Sequence, residues 1–206
     1  MQRSIAENEL AGGPKTAMRI VFIGAPGAGK GTQSERLVQL LGATHLSTGE
    51  MLRDALDRKT KIGLEAQSFL DAGKLAPDSV VVGIIRERLG MPDCARAVIF
   101  DGFPRTAEQA QELDALLAER GTPLDMVVEL RVADDEVMRR LTGRGRSDDT
   151  PRLIAERLQS YWNLTRPLLD YYGRKGILES VDGQGGPDDV FARIEAAIER
   201  RKAKGV

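Results

Sequence analysis

The size and charge of the chain limit what kind of protein it is. Its 206 residues, 41% of them hydrophobic, suffice for one domain with a buried core. Lys and Arg total 30 against 31 Asp and Glu, so the net charge of -1 provides no overall field for nucleic acid or an anionic bilayer. The single cysteine, Cys94, excludes an internal disulfide and a cysteine-rich zinc site. No apolar run approaches the roughly 20 residues of a membrane span, so we expect a cytoplasmic protein without nucleic-acid or membrane partners.

The first 17 residues lack the basic start and following apolar block of a secretory signal. We expect residues 1–17 to form a mobile leader ahead of one domain that spans residues 18–206. The sequence leaves open whether Met1 or Met18 is the natural start.

Five short apolar runs alternate with helical patterns along this domain. They are MRIVFIG from 18, a weaker ATHLS from 43, AVIFD from 97, MVVEL from 126 and GILESVD from 176. Runs of this length that are rich in β-branched residues and separated by helices are typical of parallel strands. The pattern predicts an α/β fold in which helices flank a parallel five-stranded sheet.

The stretch GAPGAGKGT, residues 24–32, follows the first run and opens the helical pattern GTQSERLVQLLG. Glycines let the backbone wrap a phosphate, the helix N-terminus directs N–H groups at it, and Lys30 adds a charge for β and γ phosphates. The alternative is a glycine-rich turn with a solvated lysine, which the position between strand and helix disfavours. We therefore predict a phosphate loop, although Gly31 stands where the general motif carries Ser or Thr.

Two later helices carry start signals. Thr106 and Gln109 have the spacing of a capping box before AQELDALLAERG, which we expect to end at Gly121. Thr150 followed by Pro151 predicts another helix start. The basic RRKAK from 200 is interpreted as a solvated helix end that complements the helix dipole.

Nearly the whole chain from Met18 resembles the adenylate kinases and related nucleoside monophosphate kinases. In that family glycine regularly follows the loop lysine, as in GAPGAGKGTQ here, and DGFPRTAEQ from 101 is the most specific match. STGEMLR from 47 and DAGKLAPD from 71 resemble the two ends of the monophosphate-binding segment. RLTGRGRSDDT from 140 and AERLQSYWNLTRPLLDYY from 155 resemble the lid and the helix behind it. The resemblance implies the fold of the P-loop nucleoside triphosphate hydrolases, with a monophosphate-binding segment at 47–77 and a short lid at 140–150.

The resemblance also implies the reaction and the residues that carry it. The activity would be reversible, magnesium-dependent phosphoryl transfer from ATP to AMP, giving two ADP, by a monomer. ATP would be held by Gly27, Ala28, Gly29, Lys30, Gly31, Thr32, Arg140 and Arg144, with the Gly185 carbonyl near adenine. AMP would be held by Thr48, Arg53, Lys74, the Ala76 backbone, Gly102, Arg105 and Gln109. Arg146 and Arg157 would contact AMP and bridge the transferring group, and Asp101 would face water around Mg²⁺.

The short lid, GRGRSDD, resembles family members without an extra, sometimes zinc-bearing insertion, so no zinc is implied. Magnesium would be held by nucleotide phosphates and water rather than directly by the protein. Glu50 departs from the family pattern, which often has Asp at this position, and its role stays open.

The chemistry suits an arginine-rich site. The acceptor is already an anionic phosphate oxygen, so the reaction needs positive charge and exclusion of water rather than a base. Lys30, Asp101 and five arginines form the predicted catalytic set: Arg105, Arg140, Arg144, Arg146 and Arg157. His45, the only histidine, is interpreted as structural.

Three other functions are compatible with a phosphate loop. A regulatory GTPase needs an Asn-Lys-x-Asp guanine reader, and neither Asn8 nor Asn163 is followed by lysine. A UMP/CMP kinase shares the mechanism, but that pattern has alanine in place of Thr48 and asparagine in place of the Thr106 and Gln109 pattern. A non-catalytic nucleotide-binding module would be expected to have lost Lys30 or an arginine. An adenylate kinase is the favoured interpretation.

Overall fold

The computed structural model describes residues 18–144 and 150–204, apart from the side chain of Arg144. The predicted leader, 1–17, and residues 145–149 of the predicted lid lie outside this part of the chain. Within it, the elements in chain order are β1 (Arg19–Ile23), α1 (Lys30–Leu41), β2 (Thr44–Ser47), α2 (Thr48–Asp57), α3 (Lys61–Asp71), α4 (Asp78–Leu89), β3 (Val98–Asp101), α5 (Ala107–Glu119), β4 (Met126–Arg131), α6 (Asp134–Arg144), α7 (Pro151–Ser160), α8 (Leu168–Arg174), β5 (Leu178–Asp182) and α9 (Pro187–Ala203). A 3₁₀ turn, Pro92–Ala95, precedes β3, and a π-helical turn, Tyr161–Thr165, joins α7 to α8.

The five strands form one parallel sheet in the order β2-β3-β1-β4-β5. This confirms the predicted α/β class and strand count, including the weak run at 43. Central β1 pairs with β3 on one side and β4 on the other. Because all strands run the same way, the loop after β1, the start of α2 and the end of β3 meet at the carboxyl edge, where open α/β sheets bind ligands.

Helices cover both faces of the sheet, which explains why β1 is buried along its entire length. Val21 and Ile23 belong to one core cluster with residues of α4, α5 and α8. Ile20 and Phe22 belong to the cluster on the other face, with residues of α1 and α9. The double burial holds β1 rigidly and therefore fixes the position of the loop that follows it.

The predicted helix starts are present, with one difference. Thr150 accepts a hydrogen bond from Leu153 N, and Thr106 accepts one from Gln109 N at 3.2 Å. A capping box also predicts that the Gln109 side chain accepts from Thr106 N, and this part of the prediction is wrong. The Gln109 amide oxygen accepts from Arg105 N at 2.7 Å instead. Gly121 follows the end of α5 with a φ of 64°, as the sequence predicts.

Within the described ranges, every helix is too short or too polar to span a bilayer.

The close approach of α2 and α3 requires glycine at one position. A Cβ at Gly63 would lie 2.2 Å from the Ala55 carbonyl oxygen and 2.4 Å from Leu56 N, both rigid backbone atoms. We expect Gly63→Ala to lower the free energy of unfolding by about 1–3 kcal/mol, as overpacking does.

Urea unfolding of Gly63→Ala beside Gly83→Ala tests this packing. A Cβ at Gly83 meets no atom within 4 Å, so alanine there should stabilise α4 by up to about 1 kcal/mol. If the two substitutions changed the free energy of unfolding equally and in the same direction, the α2–α3 geometry would be contradicted.

Candidate functional site

The loop between β1 and α1 has the geometry of an anion-binding turn. Gly27 and Gly29 have φ values of 83° and 95°, which residues with a side chain rarely adopt. Gly29 is also the N-cap of α1. Lys30 curls back over the loop, where its Nζ donates to the carbonyls of Gly24 at 2.7 Å and Ala25 at 3.0 Å. The helix N-terminus and the ammonium thus present donors and positive charge at one place.

Gly31 lies beside the carboxylate that ends β3. A Cβ at this position would be 3.7 Å from Asp101 Oδ2. Burial raises the pKa of Asp101, but His45 and the nearby Lys30 cation outweigh this effect and hold the pKa below its usual value. Asp101 therefore remains an anion next to the phosphate loop.

Arg105 lies in the loop after β3, near the Asp101 carboxylate and two further arginines. Its Nε donates to the Gly102 carbonyl at 2.7 Å, and a Cβ at Gly102 would come within 2.8 Å of its Nη2. Burial lowers the pKa of Arg105, and the cations of Arg157 and Arg53 lower it further. Asp101 acts in the opposite direction and raises the pKa of Arg105. The Arg157 and Arg53 cations thus lie close enough to Arg105 to repel its charge, an arrangement that favours a polyanionic ligand.

One cavity of about 1210 Å³ joins these features. This volume exceeds the roughly 300–1,000 Å³ of a typical site for one small ligand. The predicted residues that line it are Gly27, Ala28, Gly29, Lys30, Gly31, Thr32, Arg53, Lys74, Asp101, Gly102, Arg105, Arg140, Arg157 and Gly185. The structure therefore brings most of the predicted ATP and AMP residues to a single cavity.

Three predicted AMP residues are buried just behind the cavity wall: Thr48, Ala76 and Gln109. The Thr48 hydroxyl donates to the Gly102 carbonyl at 2.9 Å. The Gln109 amide contacts Arg105 N, so both polar side chains are linked to residues that do line the cavity. Their contact with a nucleotide stays a prediction.

Arg140 joins the phosphate loop to the loop after β5. Its guanidinium donates to the carbonyls of Gly183 at 3.0 Å and Ala28 at 3.4 Å, and it forms an ion pair with Glu136 one helical turn earlier. Arg144 ends α6, but its side chain is outside the described part of the structure, as is all of Arg146. The predicted roles of these two arginines stay predictions.

Two of the polar cavity-wall residues that the sequence did not predict are Glu136 and Thr165. Glu136 could have been found from its i, i+4 spacing to Arg140, which is typical of a helical ion pair. Thr165 gave no such signal. Its hydroxyl donates to the Arg105 carbonyl at 2.9 Å across 60 residues, and only the tertiary fold brings the two together.

His45 lies on β2 with Nε2 3.8 Å from Asp101 Oδ2, which is beyond hydrogen-bond distance in this structure. Asp101 raises the pKa of His45 above its usual 6.5 against the effect of burial, and Glu50 and Glu35 raise it further. A raised folded pKa means that protonated His45 stabilises the protein fully below about pH 6.5, and that this stability is lost as pH rises through the folded pKa.

We therefore expect His45→Gln to reduce the free energy of unfolding more at about pH 5.5 than at about pH 9. Urea unfolding of the wild type and the variant at both pH values measures the difference. A reduction of the same size at both pH values would mean that protonated His45 is not stabilised by Asp101.

Comparison with known proteins agrees with this geometry. The family model described as adenylate kinase matches residues 22–177. The chain is 46% identical over 183 residues to an adenylate kinase of Mycobacterium sp. (strain MCS), covering 89% of this chain and 100% of the relative. It is 46% identical over 185 residues to one of Stenotrophomonas maltophilia (88% and 99% covered) and 41% identical over 209 residues to one of Bacillus subtilis (86% and 96% covered). The resemblance drawn from the sequence is thereby confirmed, and the chain belongs to the adenylate kinase family.

Proposed function

We propose that this protein catalyses reversible phosphoryl transfer from magnesium ATP to AMP, giving two ADP. The single observation that carries the proposal is the shared cavity, in which the phosphate loop faces Arg105 and Arg157. Its volume is larger than that of a typical site for one small ligand, which supports occupancy by two nucleotides. Membership of the adenylate kinase family supports the same reaction.

The ATP side of the cavity is formed by the phosphate loop. Backbone N–H groups at the start of α1 and the Lys30 ammonium would hold the phosphates. Arg140 lies against the same loop and reaches the Gly183 carbonyl, so it would connect the phosphates to the adenine end near Gly185. Arg144 would add charge from the lid.

The AMP side lies at the ends of β2 and β3. Arg53 in α2, Lys74 in the loop after α3 and Arg105 line the cavity and would pair with the monophosphate. Thr48 and Gln109 would contact the base, and the Ala76 backbone would close over it. Residues 47–77, which include α2 and α3, are proposed to act as the monophosphate-binding segment, and residues 140–150 as the short lid.

The chemistry follows from charge and position. An AMP phosphate oxygen attacks the γ-phosphorus of ATP, the new P–O bond forms, and the bond to the bridging β–γ oxygen breaks, leaving ADP on both sides. No proton has to be removed from the acceptor. Lys30, Arg105 and Arg157, with Arg146, would stabilise the charge on the transferring group, the main contribution an enzyme makes to this reaction.

Magnesium enters as part of the donor substrate and neutralises phosphate charge. The described residues contain no group of three or more His, Cys, Asp or Glu side chains arranged to hold a metal ion. Asp101, kept anionic beside Lys30, fits a role in orienting water around a metal that the nucleotide holds. We further propose a monomeric, cytoplasmic enzyme.

The stoichiometry of the reaction tests the proposal directly. Phosphorus NMR of the protein with magnesium ATP and AMP should show both signals decrease equally as ADP rises by twice that amount. Formation of ADP with equal release of inorganic phosphate would instead identify an ATPase and overturn the proposal. A UMP/CMP kinase is not favoured by the family match, and CMP and UMP serve as comparison acceptors.

Closure over the nucleotides should exclude water from the transferring group. A dinucleotide that joins two adenosines through five phosphates should occupy both sides at once and raise the melting temperature by mass action. We expect hydrogen exchange to slow in 42–77 and 143–149 when it binds. If neither segment gains protection and the melting temperature does not move, two-site closure is wrong.

A further inference from the structure

Asp78, the first residue of α4, sits at the centre of a polar network behind the proposed AMP site. Its Oδ1 accepts from the Gln109 side-chain nitrogen at 2.7 Å, and its Oδ2 accepts from the Thr106 hydroxyl at 2.7 Å. The network joins the start of α4 to the start of α5 across 28 and 31 residues of chain. Nothing in the proposed mechanism requires Asp78 to touch a substrate.

The network fixes which way the Gln109 amide faces. An ionised carboxylate only accepts hydrogen bonds and a backbone N–H only donates, so the amide nitrogen must face Asp78 and the amide oxygen must face Arg105 N. The Thr106 hydroxyl has one proton, which it gives to Asp78, so its oxygen accepts from Gln109 N. Every member of the network therefore supports one orientation of the amide.

One N–H and one oxygen lone pair of Gln109 remain after these bonds are made. The relative positions of this donor and this acceptor are fixed. If the amide rotated by half a turn, its oxygen would face the Asp78 carboxylate and its nitrogen would face Arg105 N. A base edge with an amino donor beside a ring-nitrogen acceptor, as in adenine, matches this order. Hypoxanthine, the base of IMP, has a carbonyl acceptor and an N–H donor at the same two positions, so its donor and acceptor are exchanged and do not match the amide.

We infer that Asp78 is a specificity-determining positioning residue, which selects a 6-aminopurine over a 6-oxopurine by locking the orientation of the Gln109 amide. The inference rests on the proposed AMP site and adds to it the residue that sets the order of donor and acceptor. Asp78 acts through Gln109 and not on the base itself.

The test compares AMP with IMP, which differ at the two positions concerned. In Asp78→Asn an amide nitrogen replaces one accepting oxygen, so Thr106 or Gln109 loses its acceptor and Arg105 N alone is left to enforce the amide orientation. We expect the ratio of kcat/KM for AMP to that for IMP to fall roughly ten-fold. In a Gln109→Ala background the same Asp78 substitution should leave the ratio unchanged, because no amide remains to be oriented.

Matched controls separate selectivity from stability. Asp170→Asn removes an exposed carboxylate from the first turn of α8 and should leave the ratio unaltered. If Asp78→Asn fails to fold, Asp78→Ser replaces it, because the shorter serine side chain has a single oxygen and cannot accept from both donors. A structural role alone would lower kcat/KM for both acceptors equally.

If the wild type prefers AMP and Asp78→Asn leaves the AMP to IMP ratio of kcat/KM unchanged, the inference is overturned and the proposed function stands. The same conclusion follows if the ratio falls equally in the Gln109→Ala background. Wild-type protein that phosphorylates neither AMP nor IMP would instead refute the proposed function.

Discussion

Lys30→Met should lower kcat at least about a hundred-fold while the protein stays folded. Lys30 lies in the phosphate loop, where its ammonium donates to the Gly24 and Ala25 carbonyls rather than supporting the core. Methionine has a similar length and no charge, so the substitution removes the cation and retains most of the volume. The lost charge is the one nearest the β and γ phosphates in the proposed complex.

A coupled assay for ADP formation measures the loss, with circular dichroism to check the fold. Lys202→Met is the matched control, since Lys202 lies in α9 with its ammonium 2.8 Å from Glu199 and away from the cavity wall. It should retain wild-type activity. Wild-type kcat in Lys30→Met would mean that residues 24–32 are not the phosphate loop of the reaction.

The second large effect concerns the choice of acceptor, with AMP preferred over CMP and UMP by roughly thirty-fold to twenty-five-thousand-fold. Thr48 gives its hydroxyl proton to the Gly102 carbonyl, which leaves only oxygen lone pairs to meet a base. The hydroxyl oxygen can therefore accept from the adenine amino group, while Gln109 faces the ring edge. A buried polar group left unpaired costs about 1–3 kcal/mol, so two such groups cost about 2–6 kcal/mol, which corresponds to the range stated.

Thr48→Ala should reduce kcat/KM for AMP roughly ten-fold and narrow the margin over the pyrimidine nucleotides. Thr48→Ser keeps the hydroxyl and is the matched control, with selectivity close to that of the wild type. An equal loss in the alanine and serine variants would show that packing of the threonine methyl group, not the hydroxyl, governs the effect.

Local patterns were sufficient to predict the fold class and the strands. Each strand is a short apolar run, and each start signal at Thr106 and Thr150 depends on neighbours within three residues. The phosphate loop could be predicted for the same reason, because its strand, glycines and helix are contiguous in sequence. The order β2-β3-β1-β4-β5, in contrast, depends on packing between elements.

Side-chain networks of the site could not be predicted from spacing. The spacing predicted that the Gln109 side chain caps Thr106. Its amide instead forms hydrogen bonds with Arg105 N and with Asp78, which is 31 residues away. Thr165 meets Arg105 across 60 residues through a π-helical turn that has no signature in the sequence. Such contacts form only once α4, α5 and the π-helical turn have packed, so pattern alone does not reveal them.

The central claim is that the cavity transfers phosphate from ATP to AMP, and steady-state assays of the wild type with AMP, CMP, UMP and GMP test it most directly. With magnesium ATP as donor, kcat/KM should be highest for AMP by at least about ten-fold, with ADP formed from both substrates. If CMP or UMP matches AMP, the assignment of Thr48 and Gln109 as readers of adenine is contradicted and the protein acts as a pyrimidine nucleotide kinase.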